Sequence, residues 1–398
     1  MRITLFILLI AVLLLPNNTL CQNLEPDWEK SFNIPVSYTF TDVVENNDGS
    51  FTVLGAIDKK GESGFDLWLV NFNNQGDTIH SKVISHDGYD VPVRLIIFPD
   101  GSYLLAALNG KPGSEQTPWV LSISPDGSEK WRKLHDTPTL SGRTGIVPNS
   151  DASWWWLNNT DKEQTPASVK LSLMNSEGEQ VSETVYTDKM AMYGHALRLL
   201  PDGSLAVSGQ SVATKGSATM WIMRVNSSGE KIWKTVIPAS GKKITPECIC
   251  STPDNSLIVA GWIGSCMNPD AAPENQIYDY DLILAKIDVT GKLVWTKNFD
   301  REGSEGGNAV AVRPDGNILI AGKCETSFTG TVGPWLILTD QSGKLLHEQV
   351  DKFRFSGDQA SRIINTSDGG FLMVGPGKIN PDTRKNTGWI KKFKPLLQ

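Results

Sequence analysis

Beyond its first fifteen residues the sequence has no apolar stretch approaching the roughly 20 residues that a membrane-spanning helix requires. Long runs of helix formers are also scarce. In their place stand 36 glycines, 22 prolines and 13 tryptophans over 398 residues, a composition that argues against a helical bundle and favours many short strands joined by turns. There is no excess of positive charge: 37 lysines and arginines face 44 aspartates and glutamates, which argues against nucleic acid or an anionic membrane surface as the main partner. A serine nucleophile elbow, a His-Glu-x-x-His pair and a phosphate-cradling glycine loop are all missing, so three common catalytic architectures have no footing. Cysteine is sparse, with five in all.

The N-terminus reads MRITLFILLIAVLLLPNNTLCQN, with one arginine, an apolar run from Ile3 to Leu15 and a polar stretch containing the small residues Thr19 and Cys21. This pattern predicts a secretory signal over residues 1–21, cleaved after Cys21, followed by a single exported domain over 22–398. Lipidation of Cys21 is the alternative, although Asn18-Thr19-Leu20 departs from the usual leucine and small-residue approach. The expected location is secreted, periplasmic or at the cell surface.

A repeat governs the rest of the chain. Turn aspartates stand at Asp48, Asp100, Asp151, Asp202, Asp254, Asp315 and Asp368, about fifty residues apart. Each is followed by an apolar run: FTVLG, YLLAA, WWWLN, LAVSG, LIVAG, ILIAG and FLMVG. A second turn carries glycine at Gly76, Gly127, Gly178, Gly229, Gly291 and Gly343. Asx side chains cap such turns and glycine accepts their left-handed conformation. Strand, turn, strand, loop, strand, turn, strand is a four-stranded meander. Seven of them predict an all-β fold, a seven-bladed β-propeller of four-stranded antiparallel blades.

The seventh unit ends after Trp389 without a fourth strand, while an orphan segment WEKSF, from Trp28 to Phe32, matches the fourth-strand segments that begin at Trp131, Trp233 and Trp295. The N-terminal strand is therefore expected to join the last blade and close the ring, removing an exposed edge.

Nine of the thirteen tryptophans recur at two repeat positions. Trp68, Trp119, Trp221, Trp335 and Trp389 belong to third strands; Trp28, Trp131, Trp233 and Trp295 belong to fourth strands. Such recurrence is what packing between blades requires. Blade three has Lys170 and Ser182 at those positions and carries Trp154, Trp155 and Trp156 in its second strand, so these three are expected to restore missing core bulk. Trp262 lies where its second strand leaves for a loop and is the candidate exposed aromatic, with burial under the long loop after it as the alternative.

Loops joining second to third strands, and one blade to the next, share one face of a propeller, so binding is expected there. Residues entering the innermost strands supply the channel mouth. Asp42, His195, Glu247 and Arg143 are the candidate catalytic set if the protein is an enzyme, because glycoside hydrolysis needs two carboxylates and a lyase needs a base beside a group that neutralises a uronate. Trp262, Arg94, Asp90, Asn308 and Arg362 are the candidate ligand-binding residues, and Asp358 belongs to the same rim. Blade five inserts about ten extra residues, whose acids Asp270, Glu274, Asp279 and Asp281 offer a weak cation site without the alternating spacing of a recognised calcium loop. A solvated acidic loop is the preferred alternative, and no metal or cofactor is expected. Of the mature cysteines Cys248, Cys250, Cys266 and Cys324, the last two follow the second strands of adjacent blades and are the expected disulfide.

The strings TSDGGFLMVG, Thr366 to Gly375, and TMWIMRVNSSGEKIWKTV, Thr219 to Val236, resemble a broad class of exported bacterial propeller repeats, over nearly all of the mature chain. The resemblance implies a fold and no particular activity. AKIDVTGKLVW, Ala285 to Trp295, is also similar to the tryptophan-docking repeat of quinoprotein propellers, but Asp288 and Gly291 are one residue closer than in that pattern and the blades are too few for the quinone enzymes. The expected function is a monomeric, non-catalytic binding or scaffolding propeller with a glycan or protein partner on its loop face. A carbohydrate-active hydrolase or lyase at the channel mouth is the alternative.

Overall fold

The computed structural model describes residues 24–396 apart from 59–63, 87, 112–113, 135–144, 161–165, 213–217, 269, 271–276, 302, 326–331, 352–357 and 380–382. The expected signal, Arg143 and Glu274 lie outside the described residues. All described regular structure is β: seven sheets, each of four antiparallel strands. No described helix is long and apolar enough to cross a membrane.

Blade one is typical. Its strands Tyr38–Glu45, Phe51–Ile57, Asp66–Phe72 and Thr78–Ile84 pair in chain order from the channel outwards. Blade seven contains Arg362–Asn365, Phe371–Ile379 and Asn386–Phe393, and its fourth, outermost strand is Pro26–Lys30. The closing register places Pro26 opposite Phe393, Trp28 opposite Lys392 and Lys30 opposite Ile390. The ring is thus fastened by backbone pairing between the two ends of the chain, as the orphan segment predicts.

The turn aspartates recur because each caps its own turn. In blade one Asp48 Oδ1 accepts the Ser50 amide N–H at 3.0 Å and the Ser50 hydroxyl at 2.5 Å, and Asp100, Asp151 and Asp202 repeat the arrangement with Ser102, Ser153 and Ser204. The serine hydroxyls hold these carboxyls below the ordinary aspartate range.

The recurrent tryptophans divide into two packing roles. Those in the third strands are buried: Trp119 and Trp221 are fully inaccessible, and Trp68, Trp335 and Trp389 nearly so. Those in the fourth strands are partly exposed and reach into the following blade. Trp28 donates its indole N–H to Asn74 O at 2.9 Å, Trp131 to Ser176 O at 2.9 Å and Trp233 to Val289 O at 3.2 Å. Each ring lies over the second-turn glycine of that blade. A Cβ on Gly76 would sit 2.6 Å from the Trp28 ring and one on Gly291 2.7 Å from Trp233, and both glycines have positive φ. Their repeat period therefore answers to the neighbouring blade as well as to the turn.

The run of three tryptophans is core. Trp154, Trp155 and Trp156 are at most 2% exposed. Strand alternation sends Trp154 and Trp156 towards blade two, beside Ile96, Phe98 and Trp131, and Trp155 towards blade four, beside Met192 and Trp221.

The expected Cys266–Cys324 bridge is not formed: Cys248, Cys250, Cys266 and Cys324 are all free thiols. Cys324 is fully buried with its sulfur 3.8 Å from Glu305 Oε1, whereas Cys266, at the loop end of its strand, lies 3.9 Å from Asn268 Oδ1. Equivalent strands in adjacent blades do not bring equivalent side chains together, because the blades pack face to face and each thiol already has its own partner.

Candidate ligand site on the loop face

The site is built on a backbone irregularity repeated around the ring. Five of the seven innermost strands skip one residue in their pairing to the second strand: Thr41, Val93, His195, Glu247 and Asn308 are passed over between Phe40 and Asp42, Pro92 and Arg94, Gly194 and Ala196, Pro246 and Cys248, and Gly307 and Ala309. A β-bulge re-aims side chains, and here each skipped residue reaches the channel, joined by its successor in four of the five. The glycine closing most of the apolar runs in the second strand makes room for it. A Cβ on Gly55 would lie 1.9 Å from Thr39 O, and one on Gly261 2.0 Å from Thr245 O. That glycine was the sequence signal for the bulge.

The bulges line a channel-mouth cavity of about 200 Å³ that brings together Asp42, Arg94, His195, Glu247, Asn308 and Arg362. Asp42 is its anchor, 2% exposed, accepting the Val43 N–H at 2.9 Å and the Leu95 N–H at 2.8 Å. Two guanidiniums share this carboxylate through their Nε atoms, Arg94 at 3.5 Å and Arg362 at 3.1 Å. Burial, and then the positive charge of Arg94, draw Arg362 down to about 10 against the opposing pull of Asp42. Asp90 does not join this mouth. It is fully buried in blade two, accepting from the His86 N–H and the Asn109 amide at 3.2 Å, and burial raises its carboxyl above the ordinary aspartate range. Asp358 is fully buried as well.

A second cavity, about 400 Å³, opens beside the mouth between blades five, six and seven, sharing Glu247, Asn308 and Ser361 with it. Its wall is Trp262, partly exposed as expected, whose indole N–H donates to Glu247 Oε1 at 2.8 Å. Tyr280 meets Trp262 edge to face with centroids 4.5 Å apart, and Tyr278 stacks on Tyr280 at 5.7 Å. The Lys243 ammonium caps Tyr278 at 3.9 Å. A third cavity, also about 400 Å³, lies across the mouth between blades one, two and seven and meets it at Thr41; Phe65 and Tyr89, with centroids 5.2 Å apart, belong to its lining. The Tyr280, Phe65 and Tyr89 contributions escape a reading of repeats because they sit outside the recurrent positions. The alternation of Tyr278 and Tyr280 on one strand face was the available signal for the first.

Of the insertion acids, Asp279 and Asp281 both lie near Glu305. Asp270 is exposed, and Asp281 has carboxylate oxygens within 4.8 Å of those of Asp300 and Glu305. Glu305 is fully buried, and burial first, then Asp300, Asp279 and Asp281, push its carboxyl up to about 7. Burial and Asp300 raise Asp281 too. Repulsion in this trio is relieved by holding a proton, and Glu305 is the group best placed to hold it.

No protein-family model and no curated protein matches the chain. Its likeness is to solved propellers. It aligns with an ulvan lyase of a new polysaccharide lyase family bound to -[GlcA(1-4)Rha3S]-, at TM-score 0.59 and 10% identity over 92% of this chain and 96% of that one. It aligns with the WD40 domain of Pan2 from Neurospora crassa at TM-score 0.54 and 10% identity, over 90% of each. A protein of unknown function from Dyadobacter fermentans gives TM-score 0.52 and 11% identity over 93% and 99%. These likenesses are of fold: the chain is a seven-bladed β-propeller.

Proposed function

We propose that this protein is an exported, non-catalytic glycan-binding propeller whose ligand lies on the loop face against Trp262. The observation that carries this is the Trp262–Tyr280 pair, set edge to face above a cavity whose rim holds Glu247, Asn308, Ser361 and Lys323. An aromatic wall beside a few fixed polar groups is the arrangement that stacks a sugar ring and orients its hydroxyls. Glu247 is fixed by the indole N–H, so the wall and its acceptor act as a unit. The cavity volume falls within the range of about 300–1,000 Å³ usual for small-ligand sites. That a propeller of similar shape carries a disaccharide repeat accords with a glycan ligand. The test is a glycan array probed with the purified protein and with Trp262→Ala: binding that the substitution abolishes supports the proposal, and an array silent for both defeats it.

One observation favours a hydrolase or lyase as the second reading: Asp42, His195, Glu247, Arg94 and Arg362 line one cavity, with Glu305, whose carboxyl burial raises to about 7, on the next. Release of reducing ends or unsaturated products from a bound polysaccharide, lost on Glu247→Gln, would establish it over the binding role.

A further inference from the structure

Resting on the glycan proposal, we infer that the ligand is an acidic polysaccharide, lying across the channel mouth from the Trp262–Tyr280 wall to the Phe65–Tyr89 pair with its anionic groups on Arg94 and Arg362. Continuity of the groove is the first support. The three cavities are not separate holes: the mouth shares Glu247, Asn308 and Ser361 with the cavity on one side and Thr41 with that on the other. An aromatic pair stands at each end and a polar centre between them, the layout of successive sugar subsites rather than of a single-ring pocket.

The centre itself is set for an anion. Among the described residues Asp42 is the one carboxylate that pairs with either guanidinium, by charge at Nε, and Arg362 Nε has no hydrogen-bond partner there. No acceptor for the terminal amino groups of either arginine lies among the described residues. Asp42 is locked by two backbone N–H groups and neutralises one of the two positive charges, so it orients the guanidiniums without satisfying them. The other acid on the mouth, Glu247, is turned to the Trp262 indole on its far side. The guanidinium fork matches carboxylate and sulfate oxygens in two-point geometry, and such bonds are about twice as strong as those between neutral groups. Burial first, and then the positive charge of Arg94, lower the proton affinity of Arg362.

The experiment is an array of uronate-bearing, sulfated and neutral polysaccharides, with inorganic sulfate as competitor, read for the full chain, for Arg94→Gln, Arg362→Gln and Trp262→Ala, and for Asp42→Asn/Arg94→Gln/Arg362→Gln. The triple variant removes the carboxylate together with both guanidiniums, so no buried charge is stranded if the single variants fail to fold. Expected are binding confined to acidic polymers, a fall in affinity between low and high salt, and a loss of at least tenfold in the arginine variants. Binding of neutral polysaccharides alone, still lost in Trp262→Ala, would overturn this inference while leaving the glycan proposal intact. Inorganic sulfate that displaces no polymer, or acidic binding that the triple variant retains, would overturn it too. Binding of nothing on the array would defeat both.

Discussion

The second strands of blades three and five set tryptophans to opposite uses. In blade three, Trp154, Trp155 and Trp156 begin the strand near the tight turn and are sealed between neighbouring sheets. The same offsets in blade five hold Leu257, Ile258 and Val259, equally buried, and its tryptophan comes later, at Trp262. That later position faces the innermost strand of the next blade in both cases. In blade three it is Asn159, 3% exposed, whose side chain donates to Gly194 O at 3.1 Å and accepts the Gly194 N–H at 2.7 Å. Its counterpart Trp262 packs beside Gly306 and leaves a face to the cavity. Depth along the strand, not residue type, decides whether these tryptophans are sealed between sheets or left open to a cavity.

Three substitutions test that contrast. Trp155→Ala should be the most damaging, at about 3–5 kcal/mol, since it empties a core site between two blades; chemical denaturation measures it, and ligand binding by the folded fraction should be unchanged. Gly261→Ala should cost about 1–3 kcal/mol or more, because its Cβ would meet Thr245 O at 2.0 Å. It should also displace Glu247 and so weaken binding, joining the two roles that blade three keeps apart. Trp262→Ala should reverse the Trp155 pattern, with affinity reduced tenfold or more, about 1.4 kcal/mol per factor of ten, and thermal stability close to that of the parent in a melting scan. Equal loss of stability in both tryptophan variants would end the distinction.

The smallest effect concerns the acids beside the Trp262 wall. The folded carboxyl of Glu305 is raised from 4.5 to about 7, so protonation favours the folded state. Its contribution is complete below about pH 4.5 and disappears as pH rises through about 7. Glu305→Gln keeps the shape without the charge. Its Tm should exceed the parent's above pH 7, with the gap closing towards pH 4.5; a constant gap across this range would show that Glu305 does not carry the proton.

The ring was legible in the sequence because its signals are local: capped turns, glycines and tryptophans repeat wherever a blade meets its neighbour. Even the closing strand could be read, since WEKSF repeats the fourth-strand segments at Trp131 and Trp233, and in the structure Trp28 lies over Gly76 as they lie over Gly178 and Gly291. The site was half legible. Asp42, Arg94, His195, Glu247, Asn308 and Arg362 converge, although they come from two adjacent offsets, because a bulge lets its skipped residue or the successor reach the channel. Asp90 precedes the bulge and so misses the mouth, lining instead the cavity between blades one, two and seven. Tyr280, Phe65 and Tyr89 carry no repeat signature, and their neighbours arise only from the packing of sheets distant in sequence. The Cys266–Cys324 pairing failed for the opposite reason: equal rank in the repeat was taken for nearness, while Cys324 sits in the core between blades five and six beside Glu305 and Cys266 lies at the loop end of its strand beside Asn268.

The register that seats Pro26 opposite Phe393 also fixes which way the molecule looks. The first described strand enters at the tight-turn side and runs towards the loop side, so both described ends of the chain leave from the surface opposite the aromatic cavities. Any tether joined upstream of Leu24 would hold that blunt surface against its support and turn the groove outward, like a dish on its stem.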